Sequence, residues 1–204
     1  KGILGTDNID AQMGDGLSPE FLLGLPRATI NDACKPGGTI VLLGPDPKEE
    51  LGSLYLRLRH AVVHDGATLI ELTPTSTGLT PYATHSLRVR PGETAEVVKA
   101  MFGEGGVAPI GGVDPEDAKK AGSLLQTADS VTVLLGRSSL AETEGPVIDA
   151  ALALHDRLAD VQFLSLIRRG NIHGAFDMGM APNLLPGRTT LTSHQTSIKE
   201  IWPT

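Results

Sequence analysis

The sequence has a single cysteine and few aromatic residues. Cys34 is the one thiol among 204 residues, which excludes an internal disulfide framework and any site built from two or more thiolates, such as an iron–sulfur cluster or a structural zinc site. A reduced compartment is the simplest context for such a chain. Aromatic residues make up 3% of the sequence, so we expect a core composed mainly of Leu, Val, Ile and Ala.

Long apolar runs and blocks of like charge are also missing. No stretch approaches the roughly 20 consecutive apolar residues of a membrane-spanning helix, and no signal-peptide pattern opens the chain. The net charge of −7 comes from dispersed acidic residues, which disfavours nucleic acid and anionic membrane as partners. We therefore expect a soluble chain without direct membrane insertion. Because it opens at Lys1 rather than Met and closes without a terminal element, we interpret it as a piece of a longer protein.

What the sequence does contain is an alternation of strand and helix patterns. The run TIVLLG, 39–44, is a continuous apolar, β-branched stretch, which is typical of a strand buried on both faces of a parallel sheet. Apolar residues at helical spacing follow it, and the alternation continues along the chain. Strands are predicted at 39–43, 68–72, 86–90, 131–135 and 161–166, and helices at 50–65, 93–102, 115–127 and 146–158.

This alternation predicts an α/β fold with two Rossmann-like three-layer units and mostly parallel sheets. After an opening segment, 1–37, the first unit spans 38–102. A glycine-rich linker, 103–114, separates it from the second unit, 115–204, which we expect to be incomplete at its C-terminus. Ligands of open α/β sheets bind at the carboxyl ends of the strands, so the loops at that edge are the candidate sites.

The loop after the first strand, GPDPKEE at 44–50, departs from the G-x-G-x-x-G pattern of dinucleotide-binding folds. Only Gly44 of that pattern is present. Asp46, Glu49 and Glu50 place carboxylates at the start of the next helix, where they favour the helix dipole but compete with a phosphate for the backbone amides. We interpret them as capping residues rather than as part of an NAD site.

Histidines provide two further candidates. His60 and His64 have the i, i+4 spacing that can bind a metal from one helix face, but the Glu of H-E-x-x-H is missing and both fall opposite the apolar stripe of their helix. We expect a solvent-exposed face there and no metal site. His173 has the chemistry of a proton carrier, although no partner carboxylate or nucleophile is evident at the level of sequence. No G-x-S-x-G pattern is present, which disfavours serine hydrolase chemistry.

Five motifs occur in order along the chain: GTDNID at 5–10, GPDP at 44–47, PGET at 91–94, RRGNIHGAFDMG at 168–179 and LPGR at 185–188. Together they resemble the molybdopterin oxidoreductase superfamily, whose corresponding patterns include G-T-N-N-x-D, G-x-N-P, P-G-T-D and R-G-x-N-x-x-G-A-x-D-M-G. Within it, the resemblance is greatest to the family of large peripheral-arm subunits of NADH-quinone oxidoreductases (respiratory complex I), actinobacterial type. It implies the three-layer α/β fold of the superfamily's central domains.

In active members of this superfamily these loops frame a molybdenum or tungsten bis-guanine-dinucleotide cofactor. Reading GTDNID in that register places Gly16 at the metal-ligand position and Leu17 at the position of a catalytic His. Glycine has no donor atom, and Cys34 does not fit the register. Asp15 is an alternative, because other branches use Ser or Asp as ligand, but it lies one position away. The resemblance therefore implies a lost metal ligand and no catalytic residue in this chain.

The positions that would face the dinucleotide also differ from the superfamily pattern. Asp46 replaces the Asn of the turn, Thr73–Ser76 replaces a segment such as Asp-Pro-x-Arg, and Glu93 replaces the Thr of P-G-T-D. A carboxylate only accepts hydrogen bonds whereas an amide also donates them, and the missing Arg removes a cation for the phosphates. The resemblance thus implies that molybdopterin guanine dinucleotide is absent and that the loop positions are vestigial at Gly44, Asp46, Gly170, Asn171, Gly174 and Asp177.

The loop 168–182 then needs a structural explanation. We interpret its glycines as residues required by backbone geometry and its two small polar residues as hydrogen-bonding groups inside the loop. The glycines are Gly170, Gly174 and Gly179, and the polar residues are Asn171 and Asp177.

The resemblance implies a scaffold within a redox complex. The parent would transfer electrons from NADH to quinone through iron–sulfur clusters held outside this chain, with the other hydrophilic-arm subunits of complex I as partners. It would be cytoplasmic, peripheral on the cytoplasmic side of the inner membrane, and this fragment alone would not be catalytic. Two alternatives stay open: a fragment of an active molybdenum or tungsten oxidoreductase of the formate dehydrogenase or nitrate reductase type, and a free-standing nucleotide-binding module.

Overall fold

The computed structural model describes residues 5, 6, 8, 9, 15–104, 108–138, 142–182 and 184–190. Its helices are α1 (Pro19–Gly24), α2 (Ile30–Ala33), α3 (Pro47–Glu50), α4 (Gly52–His64), α5 (Thr94–Met101), α6 (Pro115–Gln126), α7 (Gly145–Arg157) and α8 (Ile172–Asp177). Its strands are β1 (Thr39–Leu43), β2 (Thr68–Thr73), β3 (His85–Arg88), β4 (Val131–Leu135), β5 (Val161–Ser165), β6 (Leu184–Leu185) and β7 (Thr189–Thr190), with a 3-10 turn at Thr80–Tyr82. The chain divides into two compact units, one of residues 25–166 and one of residues 1–24 with 167–204.

The unit 25–166 is built on a five-stranded parallel sheet. Its strand order is β3-β2-β1-β4-β5, and every neighbouring pair is parallel, with Thr39 opposite both Thr68 and Val131. β1 and β4 are buried along their whole length, as expected for the apolar runs that form them. The predicted α/β class and the parallel strands are confirmed.

Strands from both predicted α/β units share this sheet. β1, β2 and β3 come from 38–102, and β4 and β5 come from 115–204. Between them, the predicted linker 103–114 carries an antiparallel bridge between Ile110 and Val113, and its residues 105–107 lie outside the described part of the chain. The division of the sequence at this linker, like the other predicted boundaries, stays a prediction.

Helices flank the sheet and complete its layers. Leu54 and Leu58 of α4 share a core cluster with Ile40 of β1, and α5 packs against α6 and α7. Gly122 allows α6 to approach α5 closely, because a β-carbon there would lie 2.6 Å from the carbonyl carbon of Met101. Among the described residues, no helix has the length and apolar character needed to cross a bilayer.

The predicted helix 50–65 is wrong at its start. Two helices cover the region, α3 and α4, with Leu51 between them at φ −140° and ψ 61°. Asp46 caps the short helix α3, and Pro47 is its first residue. The longer helix α4 begins at Gly52, although glycine is a weak helix former. The other three predicted helices match α5, α6 and α7 to within one residue at each end.

The other unit contains α1, α8 and the antiparallel pair of β6 and β7. The interpretation of 168–182 as a loop is wrong in its middle, because α8 lies there. Ile172 and Phe176, four residues apart, form the buried side of this short helix. The glycine between them, Gly174, lowers helix propensity and so weakened the helical pattern in the sequence.

Candidate functional site

The carboxyl ends of the parallel strands form the candidate site of unit 25–166. β1 and β4 lie side by side at the point where the strand order reverses, so the loops after them flank the switch point at which ligands of such folds bind. Here the two loops touch. A β-carbon on Gly44 would lie 3.0 Å from the amide nitrogen of Gly136, and one on Gly136 would lie 2.8 Å from Cδ of Pro45. Gly44 therefore serves the close approach of two loops.

Asp46 bridges the loops that follow β1 and β2. As the N-cap of α3, it accepts a 2.9 Å hydrogen bond at Oδ1 from the amide of Lys48, and Oδ2 accepts another of 2.9 Å from the amide of Gly78. The predicted capping role is confirmed. Both carboxylate oxygens are thus used on backbone amides, the donors that a phosphate needs, and the negative charge repels a phosphate. The residues present at this loop do not fit the pyrophosphate of a dinucleotide.

Glu71 of β2 lies completely buried beside this edge of the sheet. Its carboxylate accepts hydrogen bonds from the hydroxyls of Thr77, Thr80 and Ser86, at 2.9 Å from Thr80 and 2.7 Å from Ser86. Arg88 of β3 adds an ion pair at 3.2 Å. A buried carboxylate is tolerated only when it is paired and hydrogen-bonded, and here both conditions are met. The connection between β2 and β3 is therefore anchored to the sheet.

Arg88 supplies a cation at the segment where the sequence lacks the expected Arg. Besides Glu71, its guanidinium donates to the hydroxyl of Thr73 at 2.7 Å, to the carbonyl of Thr75 at 2.8 Å and to the hydroxyl of Thr80 at 2.9 Å. The cation comes from the neighbouring strand and is directed at protein acceptors. Sequence reasoning missed both Glu71 and Arg88. The available signal was the single acidic residue inside the apolar run ATLIEL.

In the other unit, Asp15, the alternative metal ligand, lies beside the two arginines at the start of 168–182. Asp15 accepts a hydrogen bond from the backbone amide of Arg168 at 3.1 Å, and its Oδ1 lies 3.5 Å and 3.3 Å from the guanidinium groups of Arg168 and Arg169. Gly16 has a left-handed backbone with φ 87°, and Leu17 is buried. Asp15 therefore acts as an ion-pairing residue in this structure.

The predicted positions 170–179 organise α8 and the turn after it. Asn171 precedes α8 in the left-handed region at φ 56°, and within the described residues its side chain makes no capping hydrogen bond. A β-carbon on Gly174 would lie 2.8 Å from Cγ of Asn171, an exposed side chain that can move aside, so this contact does not require glycine. Gly179 has φ 68°, and a β-carbon would lie 2.6 Å from the carbonyl carbon of Leu185, which confirms its geometric role. At Gly170 a β-carbon meets nothing within 4 Å, so that part of the interpretation is wrong.

Asp177 links the two most specific motifs, RRGNIHGAFDMG and LPGR. Its carboxylate accepts a hydrogen bond from Nε of Arg188, and its backbone carbonyl accepts one of 2.8 Å from the amide of Gly187. Arg188 and Gly187 both have left-handed backbones, at φ 61° and φ 80°. The predicted hydrogen-bonding role of Asp177 is confirmed, and these two partners lie in the turn between β6 and β7.

The candidate histidines and the cysteine occupy ordinary structural positions. His60 and His64 are exposed on α4, as predicted, with ring centroids 4.8 Å apart, and the described residues contain no group of three or more His, Cys, Asp or Glu side chains placed to hold a metal. His173 lies edge-on to the ring of Phe176, with centroids 6.1 Å apart. Cys34 packs partly buried against the core, and this burial raises the pKa of its thiol.

Comparison with known proteins relates the chain to a redox subunit. No protein-family model matches the sequence. Among the curated proteins similar to it are the NADPH-Fe(3+) oxidoreductase subunits alpha of two strains of Geobacter sulfurreducens, each 26% identical over 241 aligned residues that cover 98% of this chain. The chain spans about 28% of the length of these relatives. It is therefore similar, over nearly its whole length, to one region of a much longer oxidoreductase subunit.

Proposed function

We propose that this chain is a molybdopterin-oxidoreductase-like region of the large peripheral-arm subunit of an NADH-quinone oxidoreductase, and that it acts there as a scaffold. The motifs at 168–179 and 185–188 and the similarity of 98% of the chain to an oxidoreductase subunit support a place in a large redox subunit. In this proposal the parent passes electrons from NADH to quinone through iron–sulfur clusters outside this chain. Its partners are the other subunits of the hydrophilic arm, on the cytoplasmic side of the inner membrane.

One observation carries the scaffold role, namely that both carboxylate oxygens of Asp46 are bound by backbone amides of the protein. The amides that Asp46 binds, those of Lys48 and Gly78, are not available as donors to a phosphate. The register that places Gly16 at the metal-ligand position supports the same conclusion, because glycine has no atom to coordinate a metal. In this proposal the former cofactor loops stabilise the fold.

A second parent is favoured by the names of the relatives. They are called NADPH-Fe(3+) oxidoreductase subunits, so the same scaffold in an NADPH-dependent oxidoreductase is the second candidate. The two candidates differ in electron donor and acceptor. Steady-state assays of the full-length assembly with NADH and NADPH, each combined with a quinone and with Fe(3+), distinguish them: the first candidate expects quinone reduction with NADH, and the second expects Fe(3+) reduction with NADPH.

The rival interpretation, an active molybdenum or tungsten enzyme, would need a protein ligand for the metal, and Asp15 is the residue that the sequence offers. Its contacts with Arg168 and Arg169 oppose that role. A metal cation at Asp15 would be repelled by these two guanidinium groups and would compete with them for the carboxylate.

Metal analysis of the full-length protein tests the scaffold proposal. The protein is purified from cells supplied with molybdate and tungstate, so that a missing metal does not reflect starvation. We expect iron from the parent's clusters, no stoichiometric molybdenum or tungsten, and no guanine nucleotide released on acid treatment. Stoichiometric molybdenum or tungsten together with an extractable guanine-dinucleotide pterin would overturn the proposal.

A further inference from the structure

The connection from β2 to β3 rests directly on the start of α3. The amide of Gly78 donates to Oδ2 of Asp46 at 2.9 Å. A β-carbon on Gly78 would lie 2.6 Å from Cβ of Lys48. Since non-bonded carbon atoms stay about 3.5–4.0 Å apart, the backbone at Gly78 lies against the Lys48 side chain and nothing fits between them.

Glu71 holds the same connection from the side of the sheet. Its buried carboxylate accepts from the hydroxyls of Thr77 and Thr80, and the amide of Thr77 donates to Oγ1 of Thr80 at 2.8 Å. The amide of Leu79 donates to Oγ1 of Thr77 at 3.1 Å. Lifting the connection would therefore remove two hydroxyl donors from a fully buried carboxylate, which is unfavourable because a buried acceptor that loses hydrogen bonds is not compensated by water.

Arg88 completes the arrangement. Its guanidinium donates to Glu71, Thr80, Thr73 and the carbonyl of Thr75, with distances from 2.7 to 3.2 Å. A guanidinium engaged by four protein acceptors is not available to pair with phosphate oxygens.

We propose that these residues form a latch, defined as Asp46, Glu71, Gly78 and Arg88, that closes this edge of the sheet to nucleotides. Asp46 binds backbone amides, and Glu71 pairs with the guanidinium of Arg88. Neither the amides nor the cation is then available to the phosphates of a nucleotide. The latch fixes the two loops against each other, so they cannot separate to admit a purine nucleotide. The identity of the excluded ligand, a guanine nucleotide, rests on the proposed function. The latch itself depends on the contacts described above.

Hydrogen exchange of the full-length protein, read by mass spectrometry, tests the latch. Glu71→Gln keeps the size of the side chain but loses the charge, so the amides of 77–82 should exchange at least about tenfold faster while those of β4 stay unchanged. Glu116→Gln is the matched control, because Glu116 pairs with Lys119 at 3.0 Å on the exposed face of α6 and should leave 77–82 as they are. If Glu71→Gln does not fold, Thr80→Val decides: it removes the hydroxyl that donates to Glu71 and accepts from the amide of Thr77, and it should also accelerate exchange by about tenfold.

Calorimetric titration of the wild type with GMP and with GDP at millimolar concentration completes the test, and we expect no saturable heat. If the amides of 77–82 exchange at the wild-type rate in a variant that folds, the latch proposal is overturned. Saturable GDP binding that protects 77–82 in the wild type would overturn it as well. Neither result depends on the metal and pterin analysis, so the latch and the proposed parentage can fail separately.

Discussion

Replacing Asp46 with Asn, the residue of the superfamily pattern at this position, tests the bridge between the loops after β1 and β2. Asp46 accepts hydrogen bonds from the amides of Lys48 and Gly78, both at 2.9 Å. Asn has one accepting oxygen and a donating NH2 group, so one of the two amides loses its acceptor and faces a donor. A hydrogen bond to a charged group contributes roughly 1.5–3 kcal/mol and a negative charge at a helix N-terminus roughly 0.3–1 kcal/mol. Because Asp46 is half-buried, we expect Asp46→Asn to lower the free energy of unfolding by about 2 kcal/mol.

Asp114 provides a matched control at the start of α6. It also precedes a proline and caps its helix, but in the described part of the chain its side chain accepts from the amide of Glu116 alone, at 2.9 Å. Asn and Asp cap helices about equally well, so Asp114→Asn should change the free energy of unfolding by less than about 1 kcal/mol. Equilibrium unfolding in urea, followed by circular dichroism, measures both variants. Equal losses in the two would refute the reasoning, because the amide of Gly78 would then contribute nothing.

Three further predictions concern other parts of the chain. Gly122→Ala should lower the free energy of unfolding by roughly 2 kcal/mol, because its methyl group would overlap the backbone of α5. Gly145→Ala, where a β-carbon meets nothing within 4 Å, should be neutral in the same urea-unfolding experiment, and equal stability of the two variants would contradict the packing explanation. Burial raises the pKa of Cys34, so its reaction with iodoacetamide should reach half-maximal rate at a higher pH than that of an unshielded cysteine, and an ordinary pH profile would count against this. Hydrogen bonds from the side chain and backbone of Thr29 lower the pKa of Asp32, so the carboxylate stabilises α2 above the ordinary carboxyl pKa and this contribution is lost as the pH falls through the lowered value. An NMR titration of Asp32 that gave a raised value would reverse that sign.

The strands and most helices could be predicted because their signals are local. β1 and β4 are central strands covered on both faces, so every position of TIVLL and VTVLL must be compatible with burial. The start of α6 could also be predicted, because Asp114 supplies the cap and the adjacent Pro115 is the first helical residue. Gly174 shows the limit of such signals: its helix, α8, buries Ile172 and Phe176, but a six-residue helix with a glycine inside it gives too short a pattern.

The candidate site could be predicted only where its contacts are local. Asp46 was recognisable as a cap because its acceptor and the amide of Lys48 are two residues apart. The second amide, that of Gly78, is 32 residues away. Glu71 and Arg88 are 17 residues apart and meet because β2 and β3 are neighbours in the sheet. Such pairings depend on strand order and register, which a single sequence does not specify.

Gly44 shows why glycine in a cofactor-type loop is weak evidence for a cofactor. A β-carbon there would lie 3.0 Å from the amide of Gly136 and 3.0 Å from Cδ1 of Leu166, so the close approach of the two loops favours glycine with or without a ligand. Asp46 is under a different constraint. An amide side chain at that position can both donate and accept, which suits a polar ligand, whereas a carboxylate suits the backbone amides that it binds here. The scaffold proposal therefore depends on the cap of this loop, Asp46, and would be unaffected by the retention of its glycine.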